Sequence, residues 1–397
     1  VEVPDLASVS DAGTDVSTLD ADADAQSSDV ADSADAEGTS DSPTDTDLDH
    51  AEDTVEADTG CPPGTVDCDG DMSNGCEDLT SNPLHCGVCE HDCLGGSCVG
   101  GKCQPVVLAT DLGQVYAMAK DGEFIYGTSS SGGSVWKVPV AGCATPSTCA
   151  QVLSTPGTNY RGLAVNEDAV FFTDSSAGRV LRVDKDGSGQ CDLVSDSSAP
   201  WGIVASTSHV TWCVSEGASI RRVSTACGGP DSSLLVPSTS APHHIAMDDS
   251  GLYWTKKSGG LVSWASLDGS STEAVWSGST PGGYMFAPVL DDAWVYWREG
   301  RENPTGGTAR VVRAPKDRSG GLEVIAPEQP APRYMAVDGT HAYWTTTESV
   351  RRTLKDGSGD VETVATGLSG PHAIVVDDLA VYFGTSWGAS VFKVAKP

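Results

Sequence analysis

An aromatic residue closes a short alternating segment seven times along this chain, at Tyr126, Phe172, Trp212, Trp254, Trp297, Trp344 and Phe383. The spacings are 46, 40, 42, 43, 47 and 39 residues. A period of this kind constrains a fold more than composition does. Each repeat is one supersecondary unit that cannot bury its apolar face alone and must stack on its neighbours. Within each copy, a short apolar strand ends at Asp, Asn or a similar turn residue, and a second strand ends at the aromatic. A Gly/Ser turn, a third strand of the form Val-x-Arg/Lys-Val, a polar turn and a fourth apolar strand follow.

The segments Gly251-Leu-Tyr-Trp-Thr255 and Ala342-Tyr-Trp-Thr345 alternate as half-buried antiparallel strands do. Asp186-Gly-Ser188, Asp268-Gly-Ser270 and Asp356-Gly-Ser358 place residues tolerant of left-handed backbone where tight hairpins need them. No segment carries a helical period. Seven units of roughly 43 residues with four strands each predict an all-β, seven-bladed β-propeller. The seventh copy stops after its third strand, Val391-Phe-Lys-Val394, while a lone fourth-strand sequence, Pro105-Val-Val-Leu-Ala-Thr110, precedes the first copy. Pairing these two segments completes one blade from both termini and removes the exposed sheet edges. The ring is therefore expected to be closed by its N- and C-terminal strands.

Charge divides the rest of the chain. Residues 1–60 hold 19 Asp and Glu and no Lys or Arg, without one aromatic. Such a segment cannot offset its conformational entropy by burial, so a disordered, self-repelling acidic leader is expected. Residues 104–397, the expected propeller, carry only −8 of the total −33. An acidic protein of this kind repels nucleic acid and anionic membranes, which excludes nucleic-acid partners. No run approaches the ~18 apolar residues of a spanning helix. The chain begins at Val1, and an export signal or lipid-bearing cysteine is expected upstream.

Between lie residues 61–103, with Cys61, Cys68, Cys76, Cys86, Cys89, Cys93, Cys98 and Cys103 among Gly, Asn, Pro and Asp. A piece this short without a core needs staples, and four disulfides would supply them with connectivity left open. Zinc is the competing reading, because Cys86-Gly-Val-Cys89 is flanked by His85 and His91. The cysteines are nearly evenly scattered instead of forming two knuckles, which favours disulfides. In the propeller, Cys143 and Cys149 flank a hairpin and are expected to pair, and of Cys191, Cys213 and Cys227 one is left over. Cys213 sits at a strand position filled by Thr173 and Thr255 elsewhere, so burial is expected for it. Asp67, Asp69 and Asp71 hold positions 1, 3 and 5 of a calcium-type loop. Met72 and Asp78 depart from that pattern at positions 6 and 12. No cofactor is expected beyond this candidate calcium ion.

The run Asp67-Cys-Asp-Gly-Asp-Met-Ser-Asn-Gly-Cys-Glu77, with His85-Cys-Gly-Val-Cys89 and Cys93-Leu-Gly-Gly-Ser-Cys98, resembles a cysteine-rich module of exported myxobacterial proteins. That resemblance implies an exported location and a propeller following the module, not a chemistry. Leu252-Tyr-Trp-Thr255, Ala342-Tyr-Trp-Thr345 and Phe171-Phe-Thr-Asp174 resemble YWTD repeats and, more loosely, NHL repeats. This second resemblance implies the fold and says little about a ligand. YWTD propellers have six blades, whereas seven copies are counted here.

Propellers gather the loops entering their innermost strands around the mouth of a central channel. Pro200, Pro242, Pro332 and Pro371 stand twelve residues before their aromatic markers. Aligning the residue that follows gives Val115, Arg161, Trp201, His243, Phe286, Arg333 and His372 as the mouth positions. Arg and His donate to carboxylate or phosphate while aromatics stack on a ligand face, so an anion- or sugar-binding mouth is expected. The same positions contain no Glu, Asp or Asn, the groups a propeller lactonase or lyase would use. His243 or His372 could serve as a general base only with a carboxylate partner that the sequence does not supply. The expected protein is thus a monomeric, extracellular or surface-anchored recognition platform. Its expected partners are a glycan, a peptide or an envelope protein. A hydrolase or lyase is the alternative.

Overall fold

The computed structural model describes residues 60–71, 73, 75–154, 156–237, 239, 241–256, 260–278, 285–300 and 309–397. The expected acidic leader, Gly60 apart, lies outside the described residues. Seven four-stranded antiparallel sheets follow one another, each running inner to outer in chain order except the last. The inner strands of blades one to seven are Val115–Asp121, Tyr160–Val165, Pro200–Ala205, Pro242–Asp248, Met285–Leu290, Met335–Val337 and Pro371–Val376.

The seventh sheet takes its outer strand from the other end of the chain. Val391–Ala395 pairs with Val106–Ala109 in the register Val391 to Ala109, Phe392 to Val107 and Lys393 to Val106. Closure occurs where the sequence requires it. Between blades, alternate side chains interdigitate, and most second-strand aromatics are fully buried: Phe172, Trp212, Trp297, Trp344 and Phe383.

Blade one departs from the expected pattern. Its marker position is held by Gly127, not Tyr126, and Trp136 of the third strand lies directly opposite. A Cβ at Gly127 would stand 2.2 Å from the Trp136 indole, so the third strand supplies the aromatic volume that the second strand supplies elsewhere. The Trp136 indole N–H donates to Ser129 Oγ at 3.0 Å. The assignment of Tyr126 is therefore corrected by one residue, and the mouth position of this blade shifts with it.

Blades are latched at the edge opposite the mouth. Lys355 of blade six reaches Asp291 of blade five at 2.8 Å, and Lys396 of blade seven reaches Asp338 of blade six at 2.6 Å. Lys185 to Asp121 and Lys316 to Asp248 repeat the device, and Lys120 to Asp377 (3.1 Å) closes the seven-to-one joint. Between blades two and three the corresponding residue is Thr225. A disulfide, Cys191–Cys227, spans that joint instead. The bond closes a 36-residue separation, for which chain-entropy arguments give about 4 kcal/mol. A Cys191→Ser, Cys227→Ser double variant is expected to melt about 8–15 °C below the parent in non-reducing buffer. An unchanged melting temperature would show that the joint does not depend on the bond.

All eight module cysteines are paired: Cys61–Cys76, Cys68–Cys89, Cys86–Cys98 and Cys93–Cys103. Cys143–Cys149 forms as expected, and Cys213 is the one free cysteine, fully buried, where desolvation pushes its thiol pKa up. The module packs on the propeller. Cys86, Cys93, Cys98 and Cys103 share an apolar cluster with Tyr343, Val364, Val381 and Val394 of blades six and seven. His91 adds a polar clasp, its Nε2 lying 2.7 Å from the Lys396 carbonyl.

Candidate functional site

Each inner strand faces the channel with an unpaired edge, which is why Pro, lacking an N–H, can open three of them at Pro200, Pro242 and Pro371. Immediately after the first pair the register slips, between Tyr160 and Leu163, Pro200 and Ile203, Pro242 and His244, and Pro371 and Ile374. A bulge frees one residue from the ladder and re-aims its side chain. Arg161, Trp201, His243 and His372 occupy these bulges.

A threonine at or next to the end of several second strands fixes this geometry. Thr173 Oγ1 accepts from the Gly162 N–H (2.8 Å) and donates to the Trp201 carbonyl of the next blade (2.9 Å). Thr128 donates to the Arg161 carbonyl at 3.4 Å, and Thr345 to the His372 carbonyl at 2.7 Å. One hydroxyl thus holds a bulge in its own blade and positions the mouth residue of its neighbour. Gly162 is required at the junction, since a Cβ there would lie 2.2 Å from the Trp201 carbonyl oxygen.

The structure gathers the aligned positions into one cluster. Trp201 lies 4.1 Å from His243 between ring centroids, and His243 lies 5.7 Å from Phe286. The Arg161 guanidinium lies over the rings of Tyr116 (4.4 Å) and Trp201 (5.2 Å). Arg333 lies over the exposed indole of Trp387 at 5.6 Å. Val115 is the misplaced member. It is buried in the core between blades seven and one, and Tyr116 takes the bulge and reaches the mouth. The error follows from the Gly127 register, which moves the alignment of blade one by a residue.

Three further residues were missed. The position after each mouth residue is small in five blades: Ala117, Gly162, Gly202, Ala287 and Ala373. In blades four and six it is His244 and Tyr334, and these two meet across the channel, Nε2 to hydroxyl at 3.2 Å. Tyr334 also contacts Tyr116 (6.1 Å) and His372 (4.5 Å), and His243 and His244 share an Nδ1–Nδ1 hydrogen bond of 2.8 Å. The large residues at two otherwise small positions were the available signal. Arg298 is the third, occupying in blade five the slot of the bridging threonine. It is fully buried against Phe286 at 3.9 Å and donates to the Gly300 carbonyl at 3.0 Å.

The mouth is therefore filled by its own side chains, in contacts that join non-neighbouring blades. Beneath this plug lies a cavity of about 440 Å³ lined by Met118, Leu163, Ile203, Val289 and Ile374, with Lys120 among its lining residues. Consecutive residues such as Ala373 to Val376 line it, so backbone edges as well as side chains face the channel.

Burial pushes the His372 pKa down to about 3, and the positive charges of Arg333, Arg161 and Arg298 add to this effect. The imidazole is neutral at physiological pH. Its Nδ1 lies 3.0 Å from the Tyr116 carbonyl, which can only accept, so Nδ1 carries the proton. Three guanidinium groups thus lie close enough to act on one neutral histidine.

The candidate calcium residues do not form a cage. Asp67 accepts from the Gly70 N–H (2.7 Å), Asp69 from the Asp71 N–H (2.9 Å), and Asp71 from Ser73 N (3.0 Å). Among the described residues, one group of three potential ligand atoms converges, Cys86, Cys93 and Cys103, and all three are in disulfides. No helix among the described residues is long and apolar enough to cross a membrane.

No family model matches the chain, and no curated protein matches it in sequence. Solved structures do match in shape. Virginiamycin B lyase from Staphylococcus aureus superimposes with a TM-score of 0.57 at 17% identity, covering 74% of this chain and 99% of the lyase. A catalytically inactive variant of that lyase with quinupristin gives 0.59 at 18% identity, with the same coverage of 74% and 99%. A streptogramin B lyase gives 0.59 at 15%, covering 73% and 96%. At these identities the likeness establishes a shared fold, the β-propeller.

Proposed function

We propose that this chain is an exported, surface-associated binding protein whose propeller mouth recognises a ligand on a glycan, a peptide or an envelope protein. One observation carries the reading. Six positions aligned by repeat alone, from Arg161 to His372, converge with Tyr116 on a single aromatic and cationic cluster. Buried charge is costly to retain, and here the fully buried Arg298 stands with the half-buried Arg161 and Arg333 around one histidine. Six disulfides among the described residues support an oxidising, extracellular setting.

The alternative is a hydrolase or lyase at the same mouth, a reading favoured by the fold shared with streptogramin lyases. It needs a proton acceptor, and His372, with its pKa near 3, is a weak base at neutral pH. A glycan and metabolite screen on the full chain, followed by an Arg161→Ala, Arg333→Ala double variant, tests the binding reading. The double variant is expected to bind the selected ligand at least tenfold more weakly, since each charge-assisted hydrogen bond contributes about 1.5–3 kcal/mol. Equal binding by a folded double variant would remove the mouth as the site. Turnover of a lactone or ester by the parent, lost on His372→Ala, would favour the enzyme.

A further inference from the structure

We infer that the mouth selects an acidic saccharide, with arginines receiving the sugar carboxylate and the exposed Trp387 stacking on the ring. This rests on the proposed binding role of the mouth and names its ligand class. The first observation is the placement of the guanidinium groups. Arg161 lies over Tyr116 and Trp201, and Arg298 over Phe286. Stacking occupies the face of the Arg161 guanidinium and leaves its N–H edge as the hydrogen-bonding direction, the geometry that takes a carboxylate in a bidentate pair, whereas Arg298, fully buried and donating to the Gly300 carbonyl, adds only its charge. The buried Arg161 Nε has no hydrogen-bond partner among the described residues.

Arg298 is the second observation. Blades one, two, four and six place Thr128, Thr173, Thr255 and Thr345 at this slot, where the hydroxyl of Thr128, Thr173 and Thr345 joins two blades. Blade five gives up that device for a fully buried cation stacked on a mouth residue. The exchange costs stability and adds positive charge where Arg161 and Arg333 already act on His372.

Trp387 is the third. Trp387 is 66% exposed, the most exposed tryptophan among the described residues, and its indole lies on Gly370, where a Cβ would come within 2.8 Å. Gly370 precedes Pro371 and the mouth residue His372, and Arg333 lies against the same indole. An apolar plate is thus held beside a cation at the rim. A saccharide ring with a carboxylate presents both an apolar face and a charge, whereas an inorganic anion has no face and a neutral sugar no charge.

Isothermal titration of the full chain with trigalacturonate, with its methyl ester, with hexaglutamate and with inorganic phosphate tests this. Trigalacturonate is expected to bind at least tenfold more tightly than each of the other three. Trp387→Ala, a surface change, is expected to weaken trigalacturonate by about fivefold or more. The Arg161→Ala, Arg333→Ala variant is expected to weaken it by tenfold or more. Equal binding of the ester, equal binding of hexaglutamate, or no binding of trigalacturonate overturns the acidic-saccharide assignment. In those cases a different ligand lost on the Arg161, Arg333 substitutions leaves the mouth as the binding site. Trigalacturonate binding that is unchanged in the double variant overturns the mouth itself.

Discussion

Replacing Leu108 with aspartate opens the ring. Leu108 is 1% exposed in the strand Val106–Ala109 that completes blade seven, and it packs with Leu112, Trp136, Tyr382 and Val391 between blades seven and one. A carboxylate there has no partner, and burying it costs about 4 kcal/mol or more, at the high end of single substitutions. Losing the strand also bares the edge of Val391–Ala395, which is then free to pair with another chain. Thermal melting by circular dichroism is expected to fall by about 10 °C or more, and sedimentation to show association. Val107→Asp, on the outward face of the same strand at 36% exposure, controls for charge alone. It is expected to stay within about 0.5 kcal/mol of the parent. Equal melting of the two variants would mean that the circle is held by something other than this strand.

The second large effect lies at Asp338. Its carboxylate accepts from Lys396 Nζ (2.6 Å), the His341 N–H (2.7 Å), the Thr340 N–H (2.8 Å) and the Tyr343 hydroxyl (2.9 Å). Burial alone would raise its pKa; the Lys396 ammonium and the three other donors outweigh burial and hold it far below the ordinary carboxylate range. Asp338→Ala strands a lysine, a tyrosine hydroxyl and two N–H groups, at a cost of about 3–5 kcal/mol, or roughly 10 °C in melting temperature. Since Lys396 also offers its carbonyl to His91, the cysteine-rich module is expected to loosen with it.

Asp248, Asp291 and Asp377 occupy the same latch in other blades, and each is likewise lowered by its lysine and hydrogen-bond donors despite burial. A carboxylate whose folded pKa is depressed stabilises the protein fully above its unfolded value of about 3.9. That stabilisation is lost as pH falls toward the folded value. Melting temperature should therefore be flat from neutrality to about pH 5 and fall steeply below pH 4. In Asp338→Ala the acid fall should be shallower than in the parent. Parallel curves for the two proteins would show that the latch carries no proton linkage.

Much of the architecture could be read before any coordinates, because it follows from nearest-neighbour chemistry. Alternation of apolar residues, Asp-Gly-Ser turns and a buried aromatic per unit are local, so the seven sheets and the split blade are written in the chain itself. The same locality placed Arg161, Trp201, His243, Phe286, Arg333 and His372 at equivalent points of their blades. Asp67, Asp69 and Asp71 have cation-loop spacing, and each accepts from an N–H of its own turn. Locality also misled. In blade one, Trp136 from the third strand supplies the aromatic volume, so repeat alignment falls on Val115 where the fold presents Tyr116.

What fills the channel was decided by tertiary structure alone. Tyr116 meets Tyr334, and His244 meets Tyr334, over gaps of 218 and 90 residues in numbering. Neither repeat period nor alternation relates blade one to blade six. Which cysteine joins which, and which lysine crosses to which aspartate, depend likewise on surfaces that touch only once the circle has formed. The chain by itself determined the units and their closure, since those are set by residues a few positions apart. The folded ring determined the cluster at the mouth, because its centre is where all seven units bring side chains together.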